Sequence, residues 1–407
     1  MAPTLLLLGG SSCQLSAAAR AKALGWRVVL ADYLENPPAA KITDVHERIS
    51  TFDIEACAQA ARRHGAKGVV AVGTDQPVYT AAAVALRLGL PSCISLETGL
   101  RATNKRAMKQ AFASAGIPSA PYCLISPSQP PAAGLTPPYV LKPLDSQGQR
   151  GVFRVSAPKE AMARLEETLS FSRQQEALLE EYYPSDEMTF SGWIHQGRVY
   201  PLALTDRLHC PSPVHIGVCS AHRYPSAHKE WEREASALAQ RVAEALEARE
   251  GPLYIQFLLG REGLRVNEAA LRIGGAFEDV FIPEITGFSL LDATLQAAMG
   301  QKVEPPKEKA PLPVQVSVQM LFLRPGQPAQ RTPEETLAAL PGVKAAGYNF
   351  ALTQSVPPLT NATARYGYAV LIDREGRMKE RVASFYRHVS VKDAQGRELL
   401  ISRSYDE

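Results

Sequence analysis

No stretch of this 407-residue chain approaches the ~18 consecutive apolar residues that a membrane helix requires, so no spanning segment is expected. Its six cysteines (Cys13, Cys57, Cys93, Cys123, Cys210, Cys219) include no C-x-x-C pair. That scatter argues against zinc ribbons and disulfide frameworks and predicts reduced, part-buried thiols. Cys219 stands near His215 and His222, but the spacing matches no zinc template. No basic cluster with interleaved aromatics accompanies the net charge of +3, which removes nucleic acid and membrane from the expected partners. Internal repeats and low-complexity tracts are also missing. Met1–Leu8 is too short for an export leader and runs straight into Gly9-Gly10. It reads as the first buried strand of a cytoplasmic protein.

What is present is a soluble composition, 45% hydrophobic and 21% charged, at a length that allows two or three domains. Residues 1–100 alternate short apolar strands with amphipathic helices: strand 4–8, helix 14–24 ending at Gly25, strand 27–31, strand 69–72, then a helix stopped by Gly89. This pattern predicts a parallel, doubly wound, Rossmann-like α/β domain. Asp32 ends its strand as a ribose-binding acid would, but the G-x-G-x-x-G spacing is missing, so no bound dinucleotide is expected there. Residues 101–305 form the second region. It opens with a helix capped at Thr103-Asn104 and stopped at Gly116, followed by strands near 139–143, 152–155, 177–183 and 187–193 and a long helix over 230–247. After Pro311 the pattern shifts to short strands and turns, predicting a separate α+β portion over 306–407.

The most informative segment is Ile255–Gly275. Strand-forming residues surround Gln256, a turn follows at Gly260–Gly263, and a second strand leads to Glu268, with Arg272 and Gly274-Gly275 beyond. This is a hairpin with an oxygen ligand on each strand, which suits Mg²⁺, an ion that completes its octahedron with phosphate oxygens and water. Upstream stand Lys105 at a helix start, Lys142 before the loop 145–151, the acidic strand Glu180-Glu181-Tyr182-Tyr183, and Glu187. Two lysines, a Gly-containing loop and a metal hairpin are what a nucleoside triphosphate needs.

In that order, N-K-R-A-M-K, P-P-Y-V-L-K-P, L-L-E-E-Y-Y-P-S-D-E and Q-F…N-E-A-A-L-R-I-G-G resemble the ATP-grasp superfamily over roughly residues 100–300. The branch most similar is that of carbamoyl phosphate synthetase-like carboxylate–amine ligases. The resemblance implies an ATP-grasp fold between a Rossmann-like domain and a small α+β portion, with a mobile subdomain at about 120–186. It implies that Lys105 and Lys142 bind phosphate and that Ser146, Gly148 and Gly151 belong to a loop over the β- and γ-phosphates. Glu180–Tyr183 would form the adenine hinge and Glu187 would hold the ribose. Gln256 and Glu268 would bind one or two Mg²⁺ (Mn²⁺ as an alternative), and Arg272 would steady the transferred phosphoryl. Two positions depart from the pattern: Gln256 stands where Glu is commoner, and Ala270 where Asn usually follows the glutamate. Glu268 is then the sole carboxylate among the implied metal ligands of the hairpin.

The implied activity is ATP-dependent amide-bond formation through an acyl phosphate, between small-molecule carboxylate and amine substrates, amino acids among them. The alternatives are an ATP-binding regulatory protein of the same fold that has lost catalysis, or a carboxylating ATP-grasp enzyme. For the acceptor, the polar stretch 206–225 offers His215 and Arg223, the turn after the hairpin offers the Gly274 and Gly275 amides, and the last portion offers Arg365. A homodimer is the default assembly.

Overall fold

The computed structural model describes residues 2–131, 134–210, 216–307 and 310–405. The first strand, Thr4–Leu8, is buried along its whole length and pairs in parallel with Arg27–Ala31 on one side and Ala66–Ala71 on the other. With Val45–Glu47 outermost, this makes a four-stranded parallel sheet flanked by the helices Ser12–Ala23, Ile54–Arg63 and Gln76–Leu88. The third of these helices ends at Gly89 with φ +63°, a left-handed turn that the missing Cβ makes inexpensive. Asp32 is taken up by structure: its carboxylate accepts from the backbone N–H groups of Gly10 and Leu34.

Two antiparallel sheets follow. A small one orders Tyr122–Ile125, Ala177–Glu181, Tyr139–Pro143 and Phe153–Val155 side by side, with the helix Pro158–Leu169 packed on it. A large eight-stranded one runs, in spatial order, Gly263–Ala270, Gly251–Gly260, Asp186–His195, Arg198–His209, Cys219–Tyr224, Gln315–Leu321, Gly367–Asp373 and Val343–Tyr348. The helices Lys105–Ser114 and Glu232–Ala245 bury Met108, Phe112, Leu238 and Val242 against the first part of that sheet. No helix among the described residues is long and apolar enough to cross a membrane.

The residues after Pro311 form only a two-stranded sheet of their own, Gln330–Arg331 with Val391–Lys392. Gln315–Leu321 is buried on both faces and pairs with Cys219–Tyr224 on one side and Gly367–Asp373 on the other, so the last portion completes the central sheet. Local composition reports that a segment is extended; it does not report which strand will satisfy its N–H and C=O groups.

The parallel sheet meets the central body tightly where Gly68 faces the helix Leu290–Ala298. A Cβ built on Gly68 would lie 2.2 Å from the Ala298 carbonyl oxygen, a backbone atom with little room to yield. Gly68→Ala is therefore expected to cost about 1–3 kcal/mol, read as a lower denaturant midpoint at unchanged m-value. An unaltered midpoint would contradict this close approach.

Candidate active site

The hairpin forms as expected, turning between Gly260 and Gly263 with Gln256 directly opposite Glu268. The pairing then slips: Phe257 lies opposite Val266, which leaves Asn267 as the extra residue of a bulge. Asn267, Glu268 and Gln256 consequently all border one cleft of about 980 Å³ of empty space, mouth included.

That cleft gathers residues spread over three parts of the chain. Lys105, Lys142, Ser146, Gly148, Glu180, Glu181, Tyr182, Tyr183, Glu187, Gln256 and Glu268 all border it. Ala120, Val140, Val152, Ile216 and Leu258 are apolar members of the same lining as Glu181–Tyr183. The hinge there is held by Glu181 N–H donating to Pro121 O (2.9 Å), Tyr182 N–H to Pro138 O (2.8 Å), and Arg154 stacked 4.3 Å from the Tyr182 ring.

The cleft is also strongly charged. The Glu180 carboxylate, 2% exposed, lies 2.6 Å from Lys109 Nζ and 2.5 Å from Lys142 Nζ. Burial pushes the Glu180 carboxyl up, but the two ammonium groups outweigh it and hold it at about 2. Burial likewise lowers Lys142, and Glu180 more than reverses that, keeping it charged. Lys109, where burial and the Lys142 charge act together, is lowered despite Glu180. Glu187 is held at about 2 against its burial by Arg207 (2.6 Å) and His209 (2.9 Å). Burial raises Glu268 too, yet Lys105 (3.5 Å) and Lys142 leave its carboxyl below the ordinary range.

The loop after Lys142 is docked on three sides. Gln147 Oε1 accepts from Asp75 N–H (2.7 Å), Gly148 O accepts from Ala362 N–H (3.0 Å), and Ser146 O accepts from Lys105 Nζ (3.0 Å). Ser146 Oγ is buried beside the cleft with no hydrogen-bond partner among the described residues, a group that a phosphate oxygen would satisfy.

Other expected residues lie elsewhere. Gly151 has φ +71° and packs against Thr168 and Phe171 rather than the cleft, so its part is to turn the chain. Arg272 borders a smaller adjoining pocket that shares Lys105, Ser146 and Glu268 with the main cleft. There Asp75 grips it (2.5 Å) and Tyr254 lies beneath it at 4.8 Å. Arg365 donates to Gly275 O (3.0 Å) and keeps a buried Nε without a partner among the described residues. Gly274 allows the Glu278 carboxylate to sit where its own Cβ would be, 2.1 Å away. Burial raises Glu278 to about 7. Arg223 does not reach the cleft: it pairs with Asp206 (3.3 Å), because strand alternation puts it on the face opposite His222. His222 is a buried neutral histidine against Thr189 and Thr205. His215 lies outside the described residues.

Sequence reasoning missed six residues here: Asp75, Lys109, Gln147, Arg207, His209 and Asn267. Lys109 had a signal, since it lies four residues after Lys105 and so on the same helix face. Arg207 and His209 fell within the polar stretch but were assigned to no ligand. Asn267 had no signal, because the alternation of a regular strand turns it away from Glu268.

No protein-family model matches the sequence, and no curated protein matches it either. Solved structures do. The L-amino acid ligase of Bacillus licheniformis superposes at TM-score 0.79 with 17% identity, covering 96% of this chain and 98% of its own. Phosphoribosylglycinamide synthetase of Anaerococcus prevotii gives TM-score 0.74 at 12% identity, covering 97% and 100%. The biotin carboxylase domain of Hydrogenobacter thermophilus 2-oxoglutarate carboxylase, solved with MgADP and bicarbonate, gives 0.76 at 15%, covering 98% and 91%. The architecture is therefore the ATP-grasp fold with its flanking portions, as the motifs imply.

Removing the shared carboxylate should be severe. Glu180→Ala strands two ammonium groups out of water and is expected to cost ~3–5 kcal/mol in chemical denaturation. Acid should act through the same groups. Folded-state values near 2 for Glu180 and Glu187, against an ordinary 4.5, mean stability present above about pH 5 and lost as pH falls toward 2. Stability profiles with equal acid slopes for the wild type and Glu180→Gln would contradict this.

Proposed function

We propose that the chain is an ATP-dependent ligase that joins a small-molecule carboxylate to an amine. The observation that carries this reading is that Glu181–Tyr183 with their apolar neighbours, Lys105 and Lys142, and the Gln256/Glu268 hairpin all border one cleft. Adenine would lie beside Glu181–Tyr183, ribose at Glu187 and the triphosphate at the lysines.

The donors on the hairpin fit Mg²⁺: they are hard oxygens, and among the described residues no cluster of three His, Cys, Asp or Glu competes for a softer ion. One carboxylate and a neutral amide bind a divalent ion weakly alone, so nucleotide oxygens must complete its shell. When bound there, the cation would offset charge on the β- and γ-phosphates.

The chain's own residues account for the rest. Lys105 and Lys142 place positive charge at the phosphates, and Ser146 Oγ offers one more donor. The docked loop 145–151 covers that end and keeps water from it, which protects an acyl phosphate from hydrolysis. In the first step a carboxylate oxygen attacks the γ-phosphorus and the bond to the ADP oxygen breaks. In the second an amine nitrogen attacks the acyl carbon, phosphate leaves, and the nitrogen gives up a proton. The Arg365–Gly275 corner, with Gly274 and the Glu278 carboxyl behind it, adjoins the phosphate end through Arg272 and would receive the acceptor. Reaction here is positioning and charge neutralisation rather than covalent catalysis by the protein.

The test is ADP release from ATP with Mg²⁺ and pools of carboxylic acids, amino acids included, with hydroxylamine added to trap acyl phosphate as hydroxamate. Carboxylate-dependent ADP and hydroxamate are expected. ADP formed only with bicarbonate would favour the carboxylating reading, which the likeness to the biotin carboxylase domain keeps in view. Nucleotide binding without turnover of any acid would favour a regulatory protein. Lys142→Ala should lower kcat/KM by roughly 10²–10³-fold. Glu268→Gln should abolish turnover while nucleotide still binds; retained turnover would remove Glu268 from the metal site.

A further inference from the structure

We infer that Asn267, not a residue two positions after Glu268, supplies the third protein oxygen of the metal site. The inference rests on the nucleotide and Mg²⁺ site proposed above and concerns what this hairpin does in place of the side chain that Ala270 lacks. In a regular strand Asn267 and Glu268 would point to opposite faces. The bulge opposite Gln256–Phe257 removes that alternation at one residue, and Asn267 borders the cleft beside Glu268 and Gln256. Ala270, two residues on, borders only the smaller pocket around Arg272.

The orientation of both amides is forced by their charged neighbours. Lys142 can only donate, so the Asn267 atom 2.9 Å from its Nζ is the oxygen Oδ1. The ionised Glu187 can only accept, so the Gln256 atom 3.2 Å from it is the nitrogen Nε2. The two remaining ends then meet correctly, Asn267 Nδ2 donating to Gln256 Oε1 at 3.3 Å. A continuous chain from Lys109 through Glu180, Lys142, Asn267 and Gln256 to Glu187 thus presets which atom each amide presents. Each amide oxygen keeps a second lone pair beyond the hydrogen bond it accepts. With Glu268 they make two neutral oxygens and one carboxylate, a set of hard donors for a divalent cation shared with phosphate.

The experiment is Mn²⁺ binding to the full chain followed by electron paramagnetic resonance, with and without a non-hydrolysable ATP analogue, beside analogue binding measured in chelator. Asn267→Ala should weaken nucleotide-dependent Mn²⁺ binding by roughly tenfold or more, and leave chelator-state nucleotide binding within about twofold. Asn267→Asp, which keeps the shape and adds charge, should retain or tighten the metal. In the Asn267→Ala background, Ala270→Asn should restore Mn²⁺ binding from the other side of Glu268. Mn²⁺ affinity unchanged in Asn267→Ala, or an equal loss of nucleotide affinity in chelator, overturns the inference and leaves Asn267 as a support for Lys142. If the wild type shows no nucleotide-dependent Mn²⁺ binding at all, the proposed function itself fails, which no behaviour of Asn267 alone would produce.

Discussion

Between the small sheet and the central sheet one carboxylate holds two ammonium ions out of water. Glu180 arrives on the strand Ala177–Glu181, Lys142 on the neighbouring strand Tyr139–Pro143, and Lys109 on the helix Lys105–Ser114 that packs on the central sheet. Such a cluster is poor evidence for stability, since an apolar replacement of the same shape often folds as well. What it does here is position. With Glu180 ionised and buried, Lys142 has a fixed place and a fixed charge, and the small sheet is tied to the body beside the cleft.

From that fixed charge the polarity of the hairpin follows. Lys142 orients Asn267, Asn267 orients Gln256, and Glu187, held by Arg207 and His209, terminates the series. The loop 145–151 is anchored separately, to the start of the helix Gln76–Leu88 through Gln147 and to the last portion of the chain through Ala362. Asp75 joins the first of these anchors to the segment after the hairpin, because its side chain also grips Arg272. The loop beside the cleft thus touches all three parts of the protein, which gives the parallel sheet a mechanical place next to it.

Much of this was legible in the residues. The helix beginning at Lys105 follows from the Asn104 cap, whose side chain accepts from Ala107 N–H, and its stop follows from Gly116 at φ +61°. The hairpin Gly251–Ala270 follows from a short turn between two alternating strands, although that register alone would set Gln256 opposite Asn267 and only the bulge brings Glu268 there. Such features are local: turn chemistry and periodicity act within a few residues, so a sequence displays them. The face that Arg223 takes and the strand pairing of the residues after Pro311 were not legible, for the opposite reason. Which face of Cys219–Tyr224 meets the cleft, and which strand pairs with Gln315–Leu321, depends on packing partners distant in the chain.

The sequence by itself determined the order of strands and helices and the hairpin that carries Gln256 and Glu268, because propensity, caps and hairpin turns are short-range. Only the tertiary structure decided that Lys109 and Lys142 share Glu180 and that Arg272 is claimed by Asp75. It also decided that Asn267 turns into the cleft. Each of these rests on a contact or a one-residue bulge whose energy comes from burial and charge across distant segments. No local pattern records that energy.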